Sequence, residues 1–477
     1  MSRASVVVVG GGISGLAAAW ELSGGEAGPN DATPRVEVIE ASDRFGGSLA
    51  TTDFAGRTVD LGPDGFLARR PEAVQLIKEL GLDGNLEAMD ASGAWLWSRG
   101  ALHELPKGLV LGVPTDLQAI LHFKGLTWKA RLAARRDVLL PKRLFIEDDA
   151  TIGEIVHTKL GRELSYQLIE PMVGGIQAGR IDQLSAKSVF PALFDAAKKG
   201  GSLMKALRSP TAETPSTPET TGPIFYSLND GVGSLPLELA TRLHDRGVVL
   251  RHGVSVNALR RTPVGDYPWE VDTYTTTTPA NAVVLATPAP VVGALIGSLD
   301  PAIDELRQIE SAGAAMVTFA VTNDEITLPP HGTGVLVPLK TSWSGEGSMM
   351  VTAVTFLDRK WPRLRRAGDV VLRAHVGRSD DARWSELTDE ELTNRVRKEL
   401  EVLLPHFGQP AHSLVQRWPL GLPQYVAGHD LRVQRARAAS AKFSVALAGN
   451  AYDGVGIPAS IGSGRQAARV VFDMMNH

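Results

Sequence analysis

A glycine-rich turn that follows an apolar run is the feature that most constrains how this chain folds. Val6–Val9 contains no polar residue, which is typical of a parallel strand buried on both faces. The turn GGGISG spans residues 10–15, and the Ala-rich segment Ser14–Leu22 predicts a helix. Val36–Ile39 predicts a second strand. Strand, glycine turn, helix and strand in this order predict a βαβ unit that binds a dinucleotide.

Each glycine of the turn has a predicted physical role. Gly10 allows a tight turn out of the strand, Gly12 lets backbone N–H groups approach a pyrophosphate, and Gly15 lets the helix pack closely on the strand. The helix N-terminus adds partial positive charge. Glu40, at the end of the second strand, can accept hydrogen bonds from a ribose diol and would repel a 2′-phosphate. The alternative is a glycine-rich turn without a ligand.

A second motif continues from the second strand and distinguishes between cofactors. Arg44, Gly46 and Gly47 follow Glu40, and the two glycines let the chain run close to an extended ligand. A nicotinamide dehydrogenase does not need this extension, so it favours FAD over NAD. Arg44 is expected to face phosphate or a carbonyl group. The alternative is a capping turn with a surface arginine.

Two further turns have small residues at positions that suit a flavin. DLGPDG at 60–65 predicts a fixed turn beside a strand that passes the flavin, and a plain loop is the alternative. AGNAYDGVGIP at 448–458 precedes a helix whose N-terminus can stabilise negative charge on a reduced flavin, or it is an ordinary βα turn. Motifs at both ends of the chain predict a cofactor domain assembled from distant segments.

Composition excludes several classes of protein. The 477 residues include no cysteine, so disulfides, thiolate nucleophiles and cysteinyl-flavin linkages are excluded and FAD is expected to bind non-covalently. A net charge of −4 gives no indication of a nucleic-acid partner. The sequence has no long apolar run, which predicts a cytoplasmic protein without a spanning helix and leaves peripheral membrane contact open. It also has no catalytic triad, metal-ligand cluster or paired-carboxylate motif.

The rest of the sequence divides into a mainly helical stretch and a β-rich stretch. Helical spacing is found at Thr151–Leu160 and Arg162–Ile169, and Pro171 is expected to end the second helix. Residues 209–223, rich in Pro, Thr and Ser, predict a mobile loop. The other predicted elements are the strands Val248–Leu250, Val254–Val256, Trp269–Tyr274 and Ala282–Ala286, several strands in 315–357, the helix Leu387–Leu404, the strand Val445–Ala448 and a helix from Ser460 to Met475.

The predicted fold class is α/β, with α+β character in the substrate part. A Rossmann-like FAD domain is assembled from discontinuous segments, beside a β-rich substrate domain and a mainly helical domain. The FAD domain is expected to comprise 1–66, 224–287 and 411–477. The substrate domain is expected to comprise 67–108 and 288–410, and the helical domain, facing substrate or a membrane, 109–208.

Motifs spread over nearly the whole chain resemble the protoporphyrinogen/coproporphyrinogen oxidase family of flavoproteins. The resemblance is carried by VVVVGGGISGLAAAWEL, IEASDRFGGSL, DLGPDGFLARRPE, GALHELPKGL, MVGGIQAGRIDQLSAKSVFPALF and LAGNAYDGVGIPASIGSGRQAA. The first two motifs are shared with amine oxidases and phytoene desaturases, and the others are more specific. Asn450 stands where many flavoproteins of this superfamily have an acidic residue.

The resemblance implies a set of FAD contacts along the chain. They are Gly10, Gly11, Gly12, Ile13, Ser14, Gly15, Glu40, Ala41, Arg44, Gly47, Ser48, Gly62, Pro63, Asp64, Gly65, Val256, Trp418, Asn450, Val455, Gly456 and Ile457. Val256 is expected to contact adenine through its backbone, and Trp418 to lie near the flavin.

The resemblance also implies a reaction and a substrate side. The reaction is the six-electron oxidation of coproporphyrinogen III by O2, with release of hydrogen peroxide, in haem biosynthesis. Protoporphyrinogen IX is the alternative substrate, and a flavin amine oxidase or a non-catalytic FAD-binding protein is more distant. Gly175 and Ile176 are expected to face the macrocycle, Leu336 to form an apolar wall, and Arg69 and Arg70 to pair with propionates. Gly175 and Ile176 could instead form a tight turn, and Leu336 could be an ordinary core leucine. The two arginines could be surface charges.

Residues 109–145 combine basic and apolar side chains. The basic ones are Lys124, Lys129, Arg131, Arg135, Arg136, Lys142 and Arg143. A plain solvated helical face is one interpretation. The other is a surface for peripheral membrane contact or for a partner such as ferrochelatase.

Overall fold

The glycine turn directly follows the first strand of the chain, which belongs to a five-stranded sheet. The structure is a computed structural model and describes residues 3–140, 143–208, 222–262, 266–343 and 347–476. The strands of all its sheets are β1 Ser5–Val9, β2 Arg35–Ile39, β3 Thr51–Phe54, β4 Arg57–Asp60, β5 Phe66–Leu67, β6 Leu86–Ala88, β7 Trp95–Ser98, β8 Ala101–Glu104, β9 Leu109–Val110, β10 Val113–Pro114, β11 Phe225–Leu228, β12 Val249–Arg251, β13 Val256–Arg261, β14 Trp269–Thr273, β15 Thr277–Ala280, β16 Ala282–Leu285, β17 Ser311–Thr322, β18 Ile326–Thr327, β19 Gly334–Leu336, β20 Val351–Phe356, β21 Asp369–Val376, β22 His406–Phe407, β23 His412–Pro423 and β24 Val445–Leu447.

Helices connect and cover these strands. They are α1 Ile13–Leu22, α2 Pro71–Glu79, α3 Leu117–His122, α4 Trp128–Leu139, α5 Ile152–Leu160, α6 Arg162–Leu164, α7 Glu170–Gln177, α8 Ala186–Val189, α9 Pro191–Lys199, α10 Leu203–Arg208, α11 Ser234–Asp245, α12 Ala289–Ile296, α13 Pro301–Asp304, α14 Leu357–Lys360, α15 Asp389–Leu403, α16 His429–Ala441 and α17 Ile457–Asn476. Residues 209–221 of the predicted mobile loop lie outside the described residues.

The five-stranded sheet is parallel and has the order β12-β2-β1-β16-β24. Val6 and Val8 of β1 point into a core that includes side chains of α1, α11 and α17. Val7 and Val9 point into a second core, with side chains of α12 and α16. Because successive strand residues face opposite sides of a sheet, an all-apolar run is what a strand between two helical layers requires. The predicted α/β fold, with a sheet assembled from distant segments, is confirmed.

Helix α17 packs against α1 at very short range. A Cβ atom added at Gly464 would lie 2.0 Å from the backbone oxygen of Ser14. Only a glycine lets the two helix backbones approach so closely. The helix begins at Ile457, slightly earlier than the predicted start at Ser460. The first and last helices of the chain therefore lie side by side on one face of the parallel sheet.

A seven-stranded sheet forms the β-rich part of the molecule. Its order is β23-β17-β21-β20-β19-β7-β8, and β19 pairs with β7 in parallel while the other pairs are antiparallel. Helix α15 covers one face through Leu392, Val396 and Leu400. The predicted strand Val254–Val256 is wrong in its bounds, because β13 begins at Val256 and continues to Arg261.

The helices between residues 117 and 208 enclose a third core, which Leu96 and Leu336 enter from the seven-stranded sheet. The expectation that Pro171 ends a helix is wrong. Helical structure continues from Arg162 to Gln177, and a π-helical turn at Ser165–Ile169 directly precedes the proline. Proline lacks an N–H and crowds the carbonyl of the preceding turn. A wider π turn changes the hydrogen-bond register there and accommodates the ring. Within the described ranges, no helix has the length and apolarity needed to cross a membrane.

We expect Gly464→Ala to destabilise the fold, because its methyl group would force α17 away from the Ser14 oxygen. Overpacking against a backbone atom should lower the free energy of unfolding by about 3 kcal/mol. Gly462→Ala in the same helix is the matched control, because its methyl group would meet Glu72 at an ordinary 3.4 Å. It should change stability by no more than about 1 kcal/mol. Urea unfolding of both flavin-free variants checks this, and equal midpoints would contradict it.

Candidate functional site

The three glycines of the first turn differ in what makes glycine necessary. Gly10 has φ +104°, and a Cβ there would lie 2.6 Å from the backbone oxygen of Ala286. A Cβ at Gly15 would lie 1.9 Å from the oxygen of Gly10. In contrast, a Cβ at Gly12 would meet nothing within 4 Å. Gly12 is the N-cap of α1 and has no side-chain capping bond. The helix start therefore has no side-chain cap and has open space at Gly12, where a phosphate can accept backbone hydrogen bonds.

Glu40 is fixed beside the glycine turn. The Gly11 N–H donates to Glu40 Oε2 at 2.6 Å. The backbone N–H and the hydroxyl of Ser42 donate to Oε1 at 2.8 and 2.7 Å. The Val254 N–H donates to the Glu40 carbonyl at 2.9 Å, which brings the segment before Val256 to the same place. Ala41 is exposed beside them. Glu40 and the backbone before Val256 therefore adjoin one end of the glycine turn.

Arg44 braces the loop that follows. Its guanidinium donates to the carbonyls of Gly47 at 2.7 Å, Leu49 at 3.2 Å and Phe45 at 3.3 Å. The Gly46 N–H donates to the Gly11 carbonyl at 2.9 Å. The Arg44 guanidinium thus stabilises its own loop, and its contact with FAD stays a prediction.

The turn at 60–65 is held from beneath by side chains of the seven-stranded sheet. Arg373 donates to the carbonyls of Asp60 and Gly62, the latter at 3.1 Å. Trp418 donates through Nε1 to the Leu61 carbonyl at 2.9 Å. On the other side, a Cβ at Gly62 would lie 2.2 Å from the Ser48 oxygen, so these two backbones touch. Trp418 and Ser48 are thus brought to one turn with Gly62, Pro63, Asp64 and Gly65.

Charged groups lie under the same turn. Lys360 Nζ is 2.7 Å from Asp64 Oδ1, and an Arg363 nitrogen is 2.8 Å from Asp60 Oδ2. Burial raises the pKa of Asp60 to about 6, although attraction to Arg363 opposes the rise. Burial also favours neutral Asp64, but the charges of Lys360 and Arg373 outweigh it and hold the pKa of this carboxyl below its usual range. Asp64 is therefore an ionised, paired group that stiffens the turn.

The C-terminal turn leads into α17 in a similar way. Gly454 and Gly456 have φ +112° and +107°, conformations that favour glycine. The Gly449 N–H donates to Ser463 Oγ at 3.0 Å, which joins the turn to the helix. Val455 is partly exposed, Gly456 is exposed and Ile457 is buried. Tyr425 hydrogen-bonds to the Asn450 carbonyl and accepts from the Gly454 N–H at 3.1 Å. The sequence did not single out Tyr425, because only the fold brings it here.

Two predicted substrate residues lie at the exposed end of α7. Ile176 is 48% exposed, and a Cβ at Gly175 would meet nothing within 4 Å. Helix α7 packs against β19 and β20. Leu336 ends β19, where it is partly buried against the helical core. The structure therefore places Gly175 and Ile176 at open space and Leu336 within the adjoining packing.

The two predicted propionate partners lie just before α2. Arg69 and Arg70 are exposed. The Arg70 guanidinium is 2.7 Å from Glu72 Oε1. Arg70 also lines a depression of about 420 Å³ with Glu72, Asp453 and Gly462. The structure thus places Arg70 against α17 and beside two carboxylates.

In the part of the chain that the structure describes, no group of three histidine or acidic side chains could hold a metal ion. The polar features converge instead on the carboxyl edge of the parallel sheet. Helices α1 and α17 both begin there, because each follows a strand of this sheet, β1 and β24. This edge is where open α/β sheets bind ligands.

Comparisons with known proteins agree with this geometry. The flavin containing amine oxidoreductase family matches residues 13–472. The coproporphyrinogen III oxidase of Bacillus subtilis (strain 168) is 32% identical over 467 residues, which cover 97% of this chain and 96% of the relative. The protoporphyrinogen oxidase of Bos taurus is 30% identical, with 97% of each chain covered. A crystal structure from Exiguobacterium sp. 255-15, provisionally assigned as a protoporphyrinogen oxidase, superposes with a TM-score of 0.85 at 32% identity over 100% of both chains.

Fold and site define an FAD-dependent oxidoreductase. The predicted cofactor is thereby confirmed. The chain belongs to the flavin containing amine oxidoreductase family, and within it to the porphyrinogen oxidases, which it resembles over nearly its whole length.

The residues at the sheet edge fit FAD. The open space at Gly12 and the uncapped start of α1 suit a pyrophosphate. Glu40 Oε2 accepts one hydrogen bond from the protein, from Gly11, and a carboxylate oxygen has capacity for another from a ribose hydroxyl.

We expect Gly12→Val to abolish FAD binding while leaving the fold intact. The side chain would fill the open space at the helix start without striking the protein. FAD affinity should fall at least about a hundredfold, and the flavin-free protein should lose only about 1 kcal/mol of stability, from poorer capping. Gly15→Ala is the contrasting variant, because its methyl group strikes the Gly10 oxygen and should damage the fold itself. Flavin absorbance and circular dichroism separate the two effects. A folded Gly12→Val that retains its flavin would rule out this role for Gly12.

Proposed function

We propose that the protein oxidises coproporphyrinogen III to coproporphyrin III in haem biosynthesis, using FAD and O2. The observation that carries the proposal is the full-length similarity to coproporphyrinogen III oxidases at 28–32% identity. The reaction removes six hydrogen atoms from the macrocycle, and three O2 become three H2O2. The alternative substrate is protoporphyrinogen IX, and the similarity to the bovine protoporphyrinogen oxidase supports this alternative.

Bound FAD supplies a two-electron acceptor for each round of oxidation. The chain's own residues bind and orient it. The start of α1 holds the pyrophosphate and Glu40 the ribose. The Asp60–Gly65 turn, held by Arg373 and Trp418, and the partial positive charge at the start of α17 would hold the flavin. The chain has no cysteine, and we propose that the FAD is bound without a covalent bond.

On the substrate side, we propose that Gly175 and Ile176 contact the flat face of the macrocycle, with Leu336 in the adjoining wall. The exposed apolar side chain of Ile176 can pack on a ring, and the absence of a side chain at Gly175 leaves room for one. Oxidation of this kind depends more on positioning than on a strong acid or base. Arg69 and Arg70 are the proposed partners of propionates.

The first test is purified protein in air with each porphyrinogen, following porphyrin fluorescence and peroxide. We expect a higher kcat/KM for coproporphyrinogen III and three peroxides for each porphyrin. Arg69→Ala or Arg70→Ala should raise KM about tenfold, for about 1.4 kcal/mol of lost binding, without changing flavin content. Arg35→Ala, at the exposed first position of β2, is the control. Unchanged KM values in both variants would place propionate recognition elsewhere, and a preference for protoporphyrinogen IX would establish the alternative.

We further propose that the protein contacts an anionic membrane surface through α4, in keeping with a cytoplasmic location. Trp128, Leu132 and Leu139 are 62%, 43% and 68% exposed. With exposed Arg135 they share one face of this helix, by the i, i+4, i+7, i+11 spacing. Phe145 beyond the helix is 94% exposed. Apolar side chains bordered by cations suit an interface with acidic headgroups.

We expect the protein to sediment with vesicles that contain phosphatidylglycerol and not with pure phosphatidylcholine. Leu139→Glu should weaken binding at least about fivefold, since it replaces an apolar side chain that would be buried at the acyl-chain boundary with a charged one. Leu431→Glu, which replaces a leucine that is 58% exposed on α16, is the matched control and should bind normally. Equal sedimentation of the two variants would contradict the assignment of this face. Binding to ferrochelatase alone would make the surface a protein-docking site.

A further inference from the structure

Two neighbouring side chains after β23 reach two different parts of the site. Gln424 and Tyr425 are 5% and 2% exposed. The segment is fixed by its backbone, since the Gln424 N–H donates to the Glu310 carbonyl at 2.8 Å. The Tyr425 carbonyl accepts from the Ser185 N–H at 2.7 Å. A tight turn follows at once, in which the Val426 N–H donates to the Gln424 carbonyl at 3.1 Å, and the two side chains find their partners in different elements, α7 and the C-terminal turn.

Tyr425 points to the C-terminal turn at the cofactor site. Its hydroxyl donates to the Asn450 carbonyl and accepts from the Gly454 N–H at 3.1 Å. One oxygen atom therefore bridges two positions, four residues apart, in the turn that leads into α17. The ring stacks on His429 with centroids 4.1 Å apart and planes 12° apart. His429 Nε2 lies 2.9 Å from the Ala451 carbonyl, so the stacked pair contacts three residues of the turn.

Gln424 points to the end of the helix that bears Gly175 and Ile176. Its Nε2 donates to the carbonyl of Gln177, the last residue of α7, at 2.8 Å. Its Oε1 lies 2.2 Å from where a Cβ at Gly179 would stand. Position 179 must therefore be glycine for the amide to reach α7. The amide holds the C-terminal end of α7 directly after its exposed face.

We propose that Gln424 and Tyr425 are positioning residues that fix the α7 substrate face relative to the C-terminal flavin turn. Tyr425 acts through the turn, and Gln424 acts through α7. The part that concerns Gln424 rests on the proposed function, because it assigns α7 to substrate. The part that concerns Tyr425 depends only on FAD as the cofactor.

The test uses one variant of Tyr425 for the cofactor arm of the proposal and one variant of Gln424 for the substrate arm. Tyr425→Phe keeps the stacked ring and removes the hydroxyl, so it should raise the Kd for FAD about tenfold, measured by titrating flavin-free protein and following flavin fluorescence. Its KM for porphyrinogen, measured with saturating FAD, should stay within about twofold. Gln424→Leu should show the reverse, with KM raised about tenfold and the Kd for FAD unchanged. If Gln424→Leu does not fold, Gln424→Glu keeps the shape, loses the donated hydrogen bond and carries the same expectation.

Matched surface variants distinguish these opposite changes in Kd and KM from a general loss of stability. Tyr274→Phe, at a tyrosine that is 88% exposed, and Gln434→Leu, at an exposed position on α16, should leave both constants unchanged. A purely structural role would lower the unfolding temperature and leave Kd and KM at wild-type values, and this result would overturn the proposal. Parallel changes of both constants in both variants would also overturn it. If wild type oxidises neither porphyrinogen, the proposed function fails, while the FAD titration of Tyr425→Phe still tests the cofactor arm.

Discussion

The close approach of α1 to its neighbours is the constraint on which the cofactor site depends. Gly15 lets α1 lie against the strand turn, and Gly464 lets α17 lie against α1. Both contacts are between backbones, so they cannot be adjusted by side-chain rotation. They fix the starts of the two helices at one edge of the parallel sheet. Two helix N-termini then place their partial positive charge at the same edge.

Side chains from the seven-stranded sheet then orient the turns at this edge. Arg373 and Trp418 hold the Asp60–Gly65 turn through its carbonyl groups, and Lys360 pairs with Asp64. A backbone held by buried charged donors has little freedom to move, because each lost bond would leave a buried group unpaired. The cofactor surface is therefore rigid on the side that faces the β-rich part, and the molecule behaves there as one packed unit.

Local sequence patterns predicted the parts of the site that short segments build. The GGGISG turn, Glu40 and the C-terminal turn each depend on residues close in sequence, and the apolar run of β1 indicated a strand between two layers. Contacts such as Arg373 with Gly62 join residues 311 apart, and no local spacing reveals them. The prediction that Pro171 ends a helix was wrong for a physical reason, since the π turn at Ser165–Ile169 accommodates the proline ring. The predicted domain bounds and site residues stay predictions.

The order of strands in the parallel sheet has a consequence for how the protein is made. Strand β1 comes from residues 5–9 and β24 from residues 445–447, and both belong to one sheet. During synthesis, the first strand leaves the ribosome long before its sheet can be completed. The face of α1 that packs against α17 stays exposed until α17 has been synthesised. Such delayed long-range pairing exposes a growing chain to aggregation and to chaperones. A chain that lacks β24 and α17 would contain most of the residues, yet β16 would be left at the sheet edge and the face of α1 around Ser14 would be uncovered.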